Sequence, residues 1–254
     1  MRVVFLGTGT SHGVPMIACD CAVCTSTDPR DKRTRTSIAV DVGDGVVVLV
    51  DTTPDLRAQA LREGLRRVDA ILYTHGHADH VFGLDDVRRY TAMSRRPMPI
   101  FARADTLAEI RVRFGYALGG DNPDGGERPR LALWTIGGPF CIGGQEIVPV
   151  PIMHGRREIL GFRIGALGYL TDCSGIPDAS LALLEGIEVL VLDALRRRPH
   201  PTHFCLDQAV DMAGRIGARQ TYFTHIAHEL GHADTCAGLP PGMALAYDGL
   251  AIEL

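Results

Sequence analysis

Residues 74–80 read Thr-His-Gly-His-Ala-Asp-His, three imidazoles and one carboxylate within seven positions. They follow an apolar run, Ala70–Tyr73, that reads as a buried strand. Side chains alternate along an extended segment, so His75 and His77 point the same way and reach one ion. Asp79 and His80 come after the chain bends and face a second ion close by. Imidazole with carboxylate suits Zn, Mn or Fe. A solvated polar loop is the plainer alternative, but it asks nothing of the rest of the chain. The metal reading does. One loop cannot complete two sites, so further ligands are expected at other strand ends. His154 follows the apolar stretch 146–152, Asp172 follows Tyr169-Leu170-Thr171, and His225 follows Tyr222-Phe223-Thr224.

A second constellation is Cys19-Asp20-Cys21-Ala22-Val23-Cys24. Three thiolates in one loop chelate zinc well but leave a tetrahedral structural site one ligand short. His228, three residues past His225, is the expected fourth. Such a closed site has no open position for substrate, so the zinc is read as structural. The chain has seven cysteines, an odd number, which in a cytoplasmic protein favours thiols and ligands over disulfides. The other four, Cys141, Cys173, Cys205 and Cys236, are read as small buried hydrophobes.

These residues need strands that end at one edge. Val3–Leu6 is a short strand running into Gly7-Thr8-Gly9-Thr10. Residues 35–41 alternate, with Ile38, Val40 and Val42 on one face, and Gly43-Asp44-Gly45 turns the chain into Val46–Val50. Helices are expected over 54–67, 84–93, 106–118, 181–184 and 206–216. Strands are expected at 70–74, 99–102, 131–136, 146–152, 160–164, 168–171, 189–192 and 220–224, with 243–254 as a closing pair. Residues 119–130, dense in Gly, Pro, Asn and Asp, are expected to form a mobile loop. No long linker and no short-period repeat interrupts the 254 residues, so one domain over 1–254 is favoured. A hydrophobic share of 46% supports a sizeable core, and a net charge of −4 disfavours a large polyanionic partner. The apolar run near the N-terminus is too short for a signal core or a membrane span, and a cytoplasmic location is expected.

The order HxHxDH, then a later His, Asp and His, resembles the metallo-β-lactamase superfamily from Gly7-Thr8-Gly9 to Asp248-Gly249. The resemblance implies an α+β fold, the four-layer αββα sandwich, with a dinuclear site at one edge. It implies that His75, His77 and His154 hold one ion, that Asp79, His80 and His225 hold the other, and that Asp172 bridges them. The run Leu6–Pro15 (LGTGTSHGVP), the cysteine cluster, Thr171-Asp172-Cys173-Ser174 and Thr224–His228 (THIAH) together are similar to the PhnP-type branch. Its members are phosphodiesterases related to ribonuclease Z but smaller, and the named member cleaves 5-phosphoribosyl 1,2-cyclic phosphate. PqqB of pyrroloquinoline quinone biosynthesis has a similar cysteine cluster.

The implied cofactors are two divalent ions, Mn or Zn, plus one structural Zn. The implied partner is a small or cyclic phosphodiester, cleaved by a hydroxide bridging the ions and oriented by Asp79. His203, at the place where the family carries its general acid, would protonate the leaving alkoxide. No GxSxG elbow offers a serine nucleophile. Asp51 and Asp193, each ending an apolar strand, are candidates to orient ligating imidazoles. Asp55 and Arg57 are read as a supporting pair, His232 as a surface residue, and His12 and His200 as loop residues of open role. The alternatives are a tRNA 3′-processing ribonuclease Z-like nuclease, a non-catalytic PqqB-like accessory protein and a carboxyl-ester hydrolase. No membrane contact is expected. Relatives are often dimers, so a homodimer is possible.

Overall fold

The computed structural model describes residues 1–118 and 127–254. Two mixed sheets of seven strands each lie face to face. The first runs in the order β14 (Ala251–Glu253), β1 (Arg2–Gly7), β2 (Ser37–Asp41), β3 (Val47–Val50), β4 (Ala70–Leu72), β5 (Met98–Ala102), β6 (Leu131–Thr135). The second runs β13 (Met243–Leu245), β12 (Gln220–Thr224), β11 (Val189–Asp193), β10 (Leu167–Leu170), β9 (Arg157–Ile164), β8 (Gln145–His154), β7 (Phe140–Ile142). Each sheet joins an antiparallel stretch to a parallel one. Pairing from β3 to β6 and from β10 to β13 is parallel. Parallel strands bring their C-terminal ends to one edge, where α/β sheets present ligand sites.

The sequence builds this through period-two burial. Val48, Val50, Val189 and Val191 face the space between the sheets, with Phe5, Ile38, Val40, Phe162 and Tyr169. Leu49, Ile71 and Ile100 face outward, under α1 (Leu56–Arg62), α3 (Arg88–Ser94) and α4 (Ala104–Arg113). Leu190, Leu192 and Phe223 face the other way, under α5 (Asp178–Ala182), α6 (Leu206–Ile216) and α7 (His232–Ala237). The result is the expected αββα layering. Each fully buried Val, Leu, Ile or Phe contributes about 1.5–3 kcal/mol. The edge they hold is thus a rigid mount. The remaining helix, α2 (Ala78–Val81), is the metal-motif loop itself.

Several expected elements differ in extent. The helix expected over 54–67 is only α1, because Gly64 turns the chain with φ +60°. The one expected over 84–93 is a 3₁₀ turn at Leu84–Val87 followed by α3. The one expected over 106–118 starts earlier, as α4, and gives way at Phe114 to a 3₁₀ turn over Gly115–Ala117. The closing pair over 243–254 is not a pair: β13 joins β12 in one sheet, whereas β14 joins β1 in the other. Two short apolar runs separated by a turn signal look like a hairpin, but each finds a longer edge to extend. Of the loop expected over 119–130, residues 119–126 lie outside the described residues. No helix among the described residues is long and apolar enough to cross a membrane.

Candidate metal centre

Three residues at this edge adopt a left-handed backbone although none is glycine: Asp51 after β3 (φ +65°), Asp172 after β10 (φ +56°) and His225 after β12 (φ +59°). Such conformations cost on the order of 1–3 kcal/mol each and persist where the surroundings over-determine them. Each turns a strand end sharply, so that its side chain returns to the crevice between the sheets.

Two sets of ligand atoms result. His75, His77 and His154 offer atoms within 4.8 Å of one another, as do Asp79, His80, Asp172 and His225. Asp172 stands between the sets. Its Oδ2 lies 3.9 Å from His75 Nε2, and its Oδ1 lies 3.2 Å from His80 Nε2 and 3.4 Å from His225 Nε2. Asp79 Oδ2 lies 3.5 Å from His80 Nε2 and 3.7 Å from His225 Nε2.

The hydrogen bonds behind these rings decide which nitrogen is free. His154 Nδ1 lies 2.9 Å from both Asp172 O and Thr202 O. Carbonyls only accept, so Nδ1 carries the hydrogen and Nε2 is the free donor atom. Asp51 does the same for two more rings. Its Oδ2 lies 2.7 Å from His80 Nδ1, and it accepts from the Thr74 hydroxyl at 2.8 Å. Having donated there, the Thr74 hydroxyl accepts from His75 Nδ1 at 3.0 Å. Thr74 N–H also donates to Asp51 Oδ1. One carboxylate thereby turns the Nε2 atoms of His75 and His80 inward, the usual support for ligating histidines.

The orphaned atoms agree. His75 Nε2, His80 Nε2 and His225 Nε2 are buried with no hydrogen-bond partner. A buried polar atom without a partner is costly, and these three converge on the same carboxylate. Asp51, Asp79, Asp172 and Asp193 make no ion pair with Lys or Arg among the described residues; their partners are histidines. Burial opposes charge on Asp79 and Asp172, yet the neighbouring histidines hold both well below the usual carboxylate range. Burial holds His75, His77 and His154 below the usual imidazole value, favouring the neutral, ligating form. Burial disfavours charge on His80 too, but Asp172, Asp79 and Asp51 around it raise it well above that value. Burial pushes the Asp51 carboxyl up, although three donors converge on it. We take the anion as the form that accepts them. Anionic carboxylates and inward nitrogens, short of cations, suit divalent metal ions.

His203 closes one end of the crevice. It is 7% exposed, and its ring stacks on His225 with centroids 4.7 Å apart. Asp193 sits behind both rings, with Oδ2 3.3 Å from His203 Nδ1 and Oδ1 3.5 Å from His225 Nδ1. These distances are ion-pair contacts, and neither Nδ1 has a hydrogen-bond partner. His203 opens onto a cavity of about 250 Å³ whose wall includes Ser11, His12, Arg196, His200 and His228. The loop histidines His12 and His200 are therefore walls of this cavity. A larger cleft, about 370 Å³, lies between α6 and α7, lined by none of the clustered histidines.

The cysteine constellation assembles across a sequence separation of 209 residues between Cys19 and His228. Cys19, Cys21 and Cys24 bring their Sγ atoms to 3.2, 3.4 and 3.6 Å from His228 Nδ1. The Cys24 N–H, donating to Cys21 Sγ, holds the Cys21 thiol down at about 6 against the opposing effect of burial. Burial pushes Cys24 up to about 11. Three thiols and an imidazole meeting at one point fit a tetrahedral zinc site.

Other expectations need correction. His232 is 5% exposed, packed on Tyr247, with its N–H donating to Asp31. It starts α7, and a polar type at a helix start looks like surface until a neighbouring loop covers it. Asp55 pairs with Arg35 at 2.7 Å rather than with Arg57. Cys141 is exposed and Cys236 half-buried, whereas Cys173 and Cys205 are buried. Sequence reasoning passed over Thr74, whose only signal is its place between the strand and His75. It also passed over Arg33, whose buried guanidinium pairs with Asp31 at 2.8 Å and donates to Ala227 O and Leu230 O. Arg33 thereby ties down the segment carrying His228.

Known proteins resemble this chain in sequence and fold. A family model described as a β-lactamase superfamily domain matches residues 47–226. A diphosphatase from the PhnP family shares 46% identity and superposes with a TM-score of 0.93, covering 100% of this chain and 97% of its own. An octanoyltransferase of Porphyromonas gingivalis is 40% identical over 254 residues, 98% of this chain and 51% of that protein, so the chain spans about half the length of this relative. A coenzyme PQQ synthesis protein B of Methylorubrum populi is 37% identical over 225 residues, 76% of this chain and 72% of its own length. With the family model covering more than half of its length and two mixed sheets meeting at a His/Asp cluster, the chain belongs to the metallo-β-lactamase superfamily.

Proposed function

We propose that the protein is a dinuclear metal-dependent phosphodiesterase acting on small or cyclic phosphate diesters. The observation that carries this reading is Asp172 standing between two sets of ligand atoms, with three orphaned Nε2 atoms aimed at it. His75, His77 and His154 would hold one ion, Asp79, His80 and His225 the other, with Asp172 shared. Two such ions, Mn or Zn, would supply Lewis acidity that lowers the pKa of a water and neutralises charge on phosphate oxygens. The chain's own groups do the rest. Asp79, the half-buried carboxylate of the second set, accepts a hydrogen bond from the attacking water and orients it. His203 protonates the departing alkoxide, its ring placed against Asp193, whose own carboxyl burial pushes well up. Burial holds His203 below the usual imidazole value; a phosphate anion arriving in the cavity offsets that. The Cys19, Cys21, Cys24 and His228 site would hold a structural zinc beside the cavity wall.

A diphosphate linkage is a second reading, favoured by the 46% identity to a PhnP-family diphosphatase. There the leaving group is itself a phosphate and needs a proton less. Octanoyl transfer, named for the longer relative, finds no acyl-accepting thiol in the centre: Cys173 beside Asp172 is fully buried, and burial raises its thiol. The cavity of about 250 Å³ admits a small ester or a single nucleotide end, and the net charge of −4 gives no broad attraction for tRNA.

The test is hydrolysis by Mn²⁺-loaded protein of bis(p-nitrophenyl) phosphate, p-nitrophenyl phosphate, a diphosphate diester and a lactone. Phosphodiester cleavage at least about a hundredfold above the monoester and the lactone is expected. Preference for the diphosphate diester would select the second reading. Comparable rates on lactone would overturn both.

A further inference from the structure

His77 is the loose member of the first ligand set. His75 Nδ1 is held by Thr74 and His154 Nδ1 by two carbonyls. The His77 ring is exposed and has no hydrogen bond among the described residues. Its placement comes from the backbone on either side: the His77 carbonyl accepts from the His80 and Val81 N–H groups at the start of α2, and Gly76 precedes it. We propose that an ion network on α4, built from Arg113, Glu109 and Arg157, positions His77 and so sets the affinity for the first ion. The proposal rests on the dinuclear reading above.

Arg113 donates to the carbonyl of Gly76, between His75 and His77, and pairs with Glu109 Oε2 at 3.2 Å. Glu109 Oε1 pairs with Arg157 at 2.9 Å. Arg157 starts β9 just after the turn that follows His154. A single acid on α4 thus spans both segments that supply the first set, the loop at 74–77 and the turn at 154–157. Asp105, one turn earlier on the helix, reaches Arg157 at 3.5 Å. Gly76 lies flat against the network, and a Cβ there would overlap Glu109 Oε2. Glu109 Oε2 is the far end of a flexible side chain, so a larger residue at 76 would displace this carboxylate from the network.

Magnitudes decide what kind of role this is. The side chains of Arg113, Glu109 and Arg157 are 35%, 30% and 31% exposed. Ion pairs that exposed add at most about 1 kcal/mol each to stability, too little for the fold to depend on them. Orienting a ligand is a larger lever: losing such support changes metal affinity roughly 10–100-fold. In the second set Asp51 stands behind His80, as it does through Thr74 behind His75, and Asp193 stands behind His225. The α4 network touches only the two segments that carry the first set.

Chelator competition on the holo-protein, with bound ions counted by native mass spectrometry, separates these roles. Glu109→Gln and Arg113→Met should weaken one ion of the His/Asp cluster about 10–100-fold, leaving the other and the cysteine-bound zinc unchanged. Arg113→Lys, which still donates to the Gly76 carbonyl, should restore part of the affinity. In a His77→Ala background the same substitutions should cost nothing further. With the ions of the His/Asp cluster chelated away, thermal midpoints should move by no more than about 2–4 °C. Unchanged affinity for both ions, equal weakening of both, or an additive loss on His77→Ala overturns the proposal while leaving the dinuclear reading intact. A wild-type cluster that holds fewer than two ions overturns both.

Discussion

The His/Asp cluster and the cysteine cluster both gather ligand atoms from distant sequence, yet they are built in opposite ways. The cysteines come from one loop and close on a single imidazole, His228, with all four groups facing one another. Nothing is left over to meet a substrate. The His/Asp cluster draws on the ends of strands from both sheets, uses three left-handed non-glycine residues, and leaves buried nitrogens without partners. It also opens beside His203 onto a cavity. Unmet polarity is accepted in one cluster and avoided in the other. That contrast is what separates a site for chemistry from a staple. The two share a wall, since His228 lines the cavity beside His203, so the staple holds one side of the room in which the chemistry is proposed to happen.

Substitutions put this contrast to the test. The largest effect is expected from Asp172→Asn, which keeps a side chain tolerant of the left-handed backbone but removes the shared carboxylate. It should lower kcat/KM by more than about a hundredfold, beyond the cost of losing an orienting partner, with loss of an ion by mass spectrometry. His203→Ala should cost roughly 10²–10⁴ in kcat on a diester with an alkyl leaving group. With a p-nitrophenyl leaving group, which departs without a proton, the loss should shrink to within about tenfold. An equal loss on both substrates would remove His203 from the acid role. Asp51→Asn should reduce metal affinity roughly 10–100-fold, measured by chelator competition, because the Nε2 atoms of His75 and His80 lose their common orienting group. Cys21→Ser should do least to the chemistry. It should lose the zinc of its own cluster and lower the thermal midpoint by roughly 5–10 °C, while both ions of the His/Asp cluster stay bound. If those ions leave with the zinc, the two clusters are not separate.

The candidate ligand cluster was legible because metal chemistry writes itself in residue types: His75, His77, Asp79 and His80 have no packing reason to sit together at a strand end. The sheets were legible from alternation, as in Val48 and Val50 against Leu49. What escaped was set by distant neighbours. His232 looked like surface until the Asp31 loop covered it. The strands at 243–245 and 251–253 looked like partners because sequence shows proximity along the chain, not which sheet edge is open. Arg33 gave no signal at all, since a buried arginine is betrayed only by the carbonyls it meets. Thr74 was hidden by its ordinariness in a strand, and its role follows only from the direction of one hydroxyl.

The most direct test is the metal content of the purified protein, wild type beside Cys21→Ser and Asp172→Asn, by plasma mass spectrometry. The dinuclear reading predicts two ions in the His/Asp cluster and one zinc on the cysteines. Cys21→Ser should lose only the zinc, and Asp172→Asn only from the His/Asp cluster. A wild-type protein carrying zinc on its cysteines but no pair of ions on its histidines would contradict it.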